Sequence, residues 1–172
     1  MRYIFYILIL YLVLSCQNKK PIENPNMVVK ANIIRTYDSI YDYRDTVILK
    51  TFDIKLSITN KSVKPVSFWM MTCSWEDNFI INNDYLNFIG KGCDRNFPTT
   101  RHLNPNDSLI FIANVRKSNS SRYQSVEASK FGFVFIDSIR CAKIDDYNNI
   151  IGDKSNQDKI IWSNPLYLND KK

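Results

Sequence analysis

From Met27 onward the apolar positions recur mostly with a period of two. Phe52, Ile54, Leu56 and Ile58 alternate with Asp53, Lys55, Ser57 and Thr59. Successive side chains of a strand point to opposite faces, so this stretch reads as a strand with one buried and one wet face. Residues 60–65, Asn-Lys-Ser-Val-Lys-Pro, form a turn by composition, and 65–71 resume extended chain. Residues 103–109 read as a second turn that feeds a strand over 109–115. Phe131, Phe133 and Phe135 alternate with Gly132 and Val134 in a further strand. Residues 27–34, 46–50, 79–81, 85–89 and 159–162 complete the candidate strands. No stretch sustains a 3.6-residue period with caps, and the best helix candidate is short, around 144–151.

The chain has 172 residues, of which 45% are hydrophobic, enough for one domain with a core and too few for two. Only 4 Gly and 6 Pro exclude collagen-like or Pro/Gly-rich disorder. Aromatics at 13% suit pleated, half-buried surfaces. Short strands separated by Asn, Asp, Ser and Pro turns predict an all-β sandwich of about seven to nine short strands over residues 27–172. Two motifs give this a family resemblance. Leu56-x-Ile58-x-Asn60-x-Ser62-x-x-Pro65-Val66, followed by Leu103-x-Pro105-x-Asp107-Ser108-x-x-Phe111, resembles the paired turns of immunoglobulin-like domains in secreted bacterial proteins. Asn106 stands where those domains usually carry Gly, and Asn also accepts left-handed backbone angles. The resemblance implies an immunoglobulin-like β-sandwich and says little about function.

The chain opens with Met1-Arg2 and an apolar run over 3–14. Twelve helical residues reach about 18 Å, short of the ~30 Å hydrocarbon core, so the run fits a secretory signal better than a membrane span. Val13-Leu14-Ser15-Cys16 then resembles the lipobox of bacterial lipoprotein precursors. Leu14 departs mildly, since leucine is commoner one position earlier. The resemblance implies cleavage after residues 1–15 and lipid attachment at Cys16. Residues 16–26 are polar, contain two prolines and read as a flexible tether. Lys19 and Lys20 lie beside the anchor, where anionic headgroups add up to ~1 kcal/mol each. The resemblance implies the cell envelope; a basic rather than acidic run after the cysteine favours the periplasmic face of the outer membrane over the cell surface.

Of four cysteines, Cys73, Cys93 and Cys141 remain after Cys16. Three pairings are open, and Cys73–Cys93 is favoured because both lie in the least strand-like part of the chain. Met70, Met71, Cys73, Cys93 and His102 raise a soft-metal reading, against which adjacent residues of a strand face opposite ways and no CxxC, HxH or MxxM spacing occurs. His102 is the only imidazole and no GxSxG elbow is present, so enzymatic chemistry is not expected and no cofactor is implied. Seven Lys and Arg face three Asp and Glu over residues 91–130, the most basic third of a chain with net charge +6. Such a patch suits anionic lipid, polysaccharide or an acidic protein; the export signal excludes nucleic acid.

Asp-Ser/Thr-aliphatic occurs four times, at Ser39, Thr46, Ser108 and Ser138, where composition alone gives on the order of 0.7. The motif resembles the acceptor of a periplasmic O-glycosylation system, and it is also what a strand entrance looks like. These residues define the expectation of a membrane-anchored, non-enzymatic module that binds an envelope protein or glycan. Trp75, Tyr85, Arg95, Phe97 and Arg101, between residues 75 and 102, are its candidate contacts, because aromatic and Arg side chains dominate binding hot spots. A protease-inhibitor-like domain and a copper-binding domain are the alternatives.

Overall fold

The computed structural model describes residues 26–42, 47–90, 92–118, 128–138, 144–153 and 159–168. Among them are nine strands: β1 (Met27–Asp42), β2 (Val47–Asn60), β3 (Val66–Met71), β4 (Phe79–Ile81), β5 (Leu86–Phe88), β6 (Pro98–Leu103), β7 (Ser108–Lys117), β8 (Phe131–Val134) and β9 (Ile160–Trp162). They form three antiparallel sheets, ordered β1-β2-β7-β5, β3-β6 and β4-β8-β9. The short helix α1 (Ile144–Gly152) falls where the helical candidate lay.

The period-two pattern decides which faces are buried. Phe52, Ile54, Leu56 and Ile58 are at most 1% exposed and line the inner face of β2, while Lys55 stands in solvent. Asp53, expected on the wet face, is instead buried at 7% exposure, where its carboxylate accepts from Arg35 and Asn114. Their core cluster takes Phe68 from β3, Phe79 from β4, Leu86 from β5, Leu103 from β6 and Phe131 and Phe133 from β8, so one core joins all three sheets. The segment from Phe131 to Ile136 is buried at every position. Phe131, Phe133 and Phe135 face the main core, whereas Val134 and Ile136 pack with Met71 in a second cluster. That double burial is why the run is almost wholly apolar. Phe68 meets Phe133 edge to face, with centroids 5.3 Å apart.

The first hairpin is long, because β1 has 16 residues and β2 has 14, the candidate at 46–50 being continuous with the strand that follows it. Register shifts at Ile33/Arg35 and Ile40/Asp42 let β1 continue past polar residues without losing its pairing to β2. Residues 75–102 hold a 3-10 turn (Trp75–Asn78), strands β4 and β5 where candidates lay, and β6, which the sequence did not suggest. Strand β6, Pro-Thr-Thr-Arg-His-Leu, shows no apolar alternation, and Leu103 is its one buried residue. Its pairing with β3 makes it a strand.

The paired turn motifs are tied to each other. Asn60 is fully buried, and its amide donates to the carbonyls of Lys64 and Leu103, both at 2.9 Å. Its side-chain oxygen accepts from the Ser62 N–H and hydroxyl. The Asn106 N–H donates to the Asn60 carbonyl at 2.8 Å, and Asn106 has φ 66°, the left-handed angle its position requires.

Candidate functional site

The end of β3 leads into Thr72, Cys73 and Ser74, and the segment before β6 is fastened to it. Cys73 and Cys93 form a disulfide, with their Cα atoms 6.0 Å apart. Asn96 adds a second clasp. Its side-chain oxygen accepts the N–H groups of Cys73 and Ser74, both at 3.2 Å, and its amide donates to Ser74 Oγ at 2.5 Å. The Ser74 hydroxyl in turn donates to Asp77. Thr72 closes the contact from the other side, donating its N–H to the Phe97 carbonyl at 3.0 Å and accepting the Phe97 N–H on its hydroxyl at 3.2 Å.

This clasp holds Arg95 and Phe97 outward. Arg95 is exposed and Phe97 is 56% exposed, an unusual state for a phenylalanine fixed at both backbone groups. Arg101 is exposed four positions further, on β6, where it pairs with Phe68 of β3. All three side chains are exposed, and the Phe97 backbone between them is braced by Thr72.

Trp75 does not belong to that surface. It is half-buried, stacks on Phe111 with centroids 4.7 Å apart and meets Phe79 edge to face at 5.7 Å. Its role is packing between the 3-10 turn and β7. Tyr85 is exposed on the turn between β4 and β5, braced by its N–H to Asn83 Oδ1 at 2.9 Å. A shallow open depression of about 350 Å³ beside it is lined by Phe79, Ile81, Asp84, Leu86, Asn87 and Phe88, with others.

The metal donors are not brought together. Cys73 and Cys93 are joined as a disulfide, Met70 is in the main core and Met71 in the second cluster. No group of three His, Cys, Asp or Glu side chains is placed to hold a metal ion among the described residues. His102 instead faces Ser67 across β3 and β6, with Nδ1 and Oγ 2.8 Å apart. Both residues lie on paired strands open to solvent, an ordinary cross-strand contact.

Of the Asp-Ser/Thr positions, Ser108 is exposed at the start of β7, its hydroxyl 2.7 Å from that of Thr59. Ser39 is half-buried within β1, with its hydroxyl 2.6 Å from Thr51 Oγ1. Ser138 is half-buried, and its carbonyl accepts the Trp69 indole N–H at 3.0 Å. Thr46, Cys16 and Cys141 lie outside the described residues. Sequence reasoning missed Asn96 because a clasping Asn has no motif; only its place three residues after Cys93 hints at it.

Compared with protein-family models, curated proteins and solved structures, the chain matches none. What is established is a mostly β domain braced by a disulfide, a bond that points to a compartment outside the reducing cytoplasm. No helix among the described residues is long and apolar enough to cross a membrane.

Proposed function

We propose that the chain is a lipid-anchored envelope protein whose domain is an immunoglobulin-like sandwich acting as a non-enzymatic binding module. The lipobox-like Val13-Leu14-Ser15-Cys16 supports the anchor, and residues 16–26 supply the tether. The paired turns around Asn60 and Asn106, which carry the family resemblance, support the immunoglobulin-like reading. Its partner is a protein or glycan with acidic character, met at the surface of Arg95, Phe97 and Arg101. The observation that carries this reading is Phe97, exposed yet held by the disulfide, Asn96 and Thr72. Preorganised aromatic and Arg side chains bind without a large ordering cost.

The test is crosslinking of the full chain in native envelopes, read by mass spectrometry, beside the variants Cys16→Ala and Arg95→Glu/Phe97→Ala. A near-stoichiometric partner lost in the surface variant supports the module. An unchanged crosslink pattern in that variant removes the surface from the binding role. Ser108, the most exposed of the described Asp-Ser/Thr positions, is the site at which a glycan mass would be sought.

A further inference from the structure

The geometry points to residues 61–65 as a membrane-facing tip that rests on anionic lipid headgroups. This inference rests on the anchored reading above. Asn26, the last tether residue, is fastened to that turn. The Lys61 N–H donates to the Asn26 carbonyl at 2.7 Å, and the Asn26 amide donates to the Lys61 carbonyl at 3.4 Å. The chain therefore enters the domain beside this turn.

Ten steps of chain from Cys16 to Asn26 span at most about 35 Å. An anchor at Cys16 therefore keeps the end of the domain carrying Asn26 within that distance of the bilayer, and the turn shares that end. Val63 at its apex is 89% exposed, more than any other large apolar residue described. Exposed Lys61 and Lys64 flank it. Asp107 is the one acid in the paired turns at 60–65 and 104–108, and its carboxylate accepts the Asn104 N–H at 3.2 Å.

The apex is also rigid. The Asn60 amide donates to the Lys64 carbonyl at 2.9 Å and its side-chain oxygen accepts the Ser62 N–H at 2.9 Å, which fixes the turn on both sides of Val63. An apolar side chain between two lysines, on a stiff turn beside a membrane tether, matches an interface with an apolar interior and anionic headgroups.

The test uses the full-length protein expressed with its signal and purified from membranes, after the mass of its N-terminal peptide has been read. It is reconstituted into phosphatidylethanolamine vesicles with phosphatidylglycerol, into phosphatidylcholine vesicles and into detergent micelles. A water-soluble amine-acylating reagent then reports each lysine. Lys61 and Lys64 are expected to label about five-fold more slowly with phosphatidylglycerol than in micelles. Lys30 and Lys55, exposed on the first sheet, label equally in all three. Val63→Asp returns Lys61 and Lys64 to the micelle rate. Equal labelling everywhere, or equal protection of Lys30 and Lys55, overturns the tip. Protection that persists in micelles also overturns it and assigns the turn to a protein contact. An N-terminal peptide without acyl mass overturns the anchor and the tip together, whereas an acylated chain with an unprotected tip overturns the tip alone.

Discussion

Asn164 lies against Ala31 as a neighbouring strand would. Its amide donates to the Ala31 carbonyl and its side-chain oxygen accepts the Ala31 N–H, both at 3.0 Å. Ala31 is fully buried on β1, the outer strand of the four-stranded sheet, so the side chain satisfies a backbone edge that solvent cannot reach. Unpaired edges are templates for association, and here one residue covers the edge at its most buried point. Asn164→Ala should cost about 2 kcal/mol, because a donor and an acceptor are left without partners. Urea denaturation measures the loss, and light scattering should show faster aggregation on warming.

Asn60 carries more. Its side chain closes the turn at 61–64 and reaches β6 through the Leu103 carbonyl, so it joins two sheets as well as two motifs. Asn60→Ala should lower stability by about 3 kcal/mol, with buried groups of Leu103 and the turn left unsatisfied. Asn60→Asp keeps the acceptor for Ser62 but sets a buried carboxylate oxygen against the Lys64 and Leu103 carbonyls, and should be at least as destabilised as Ala at neutral pH. Equal stabilities for the three proteins would show that the turn holds without its Asn.

Much of this architecture could be read from residue order. Alternation at 52–58 identified β2 and its buried face, and the clustered Phe at 131–135 identified β8. The turn residues placed the crossings from β2 to β3 and from β6 to β7, and sparse cysteines in a loop-rich stretch marked the disulfide that the structure contains. Strand β6 was illegible because its polar residues reflect an exposed edge whose order comes from β3. Trp75 misled for a related reason. Local composition makes it a surface anchor, whereas its burial depends on Phe111, 36 positions away on β7. Asn96 and Asn164 act through contacts distant in sequence, which local pattern does not record.

Gly132 tests the packing of the three-stranded sheet. It pairs with Trp162 across β8 and β9, and a Cβ there would lie 2.4 Å from Ile160 Cγ2 and 2.9 Å from the Trp162 ring. The requirement is for space rather than for an unusual backbone angle, because Gly132 is not among the residues with positive φ. Gly132→Ala should destabilise by about 2 kcal/mol through displacement of β9. A shift in tryptophan emission should accompany the loss. Ile160→Ala removes the nearer obstacle, so a double-mutant cycle should show coupling between the two positions. Simple additivity would mean that β9 moves as a unit without strain at Ile160.

At the clasp between Cys73 and Cys93, the disulfide and Asn96 constrain the same segment by different means. The crosslink acts on the unfolded chain, and its loop of about 20 residues corresponds to roughly 3 kcal/mol in the chain-entropy model. Asn96 acts on the folded state, satisfying the N–H groups of Cys73 and Ser74. Cys73→Ala/Cys93→Ala should therefore lower stability by about 3 kcal/mol, and Asn96→Ala by about 1–2 kcal/mol. If the two devices act on different states, the triple variant loses the sum, to within a few tenths. If the disulfide is what holds Asn96 in place, the loss of Asn96 costs almost nothing in the reduced background. Denaturation of the four proteins separates these outcomes. Amide exchange at Phe97 then reports whether the exposed aromatic is still presented once either clasp is gone.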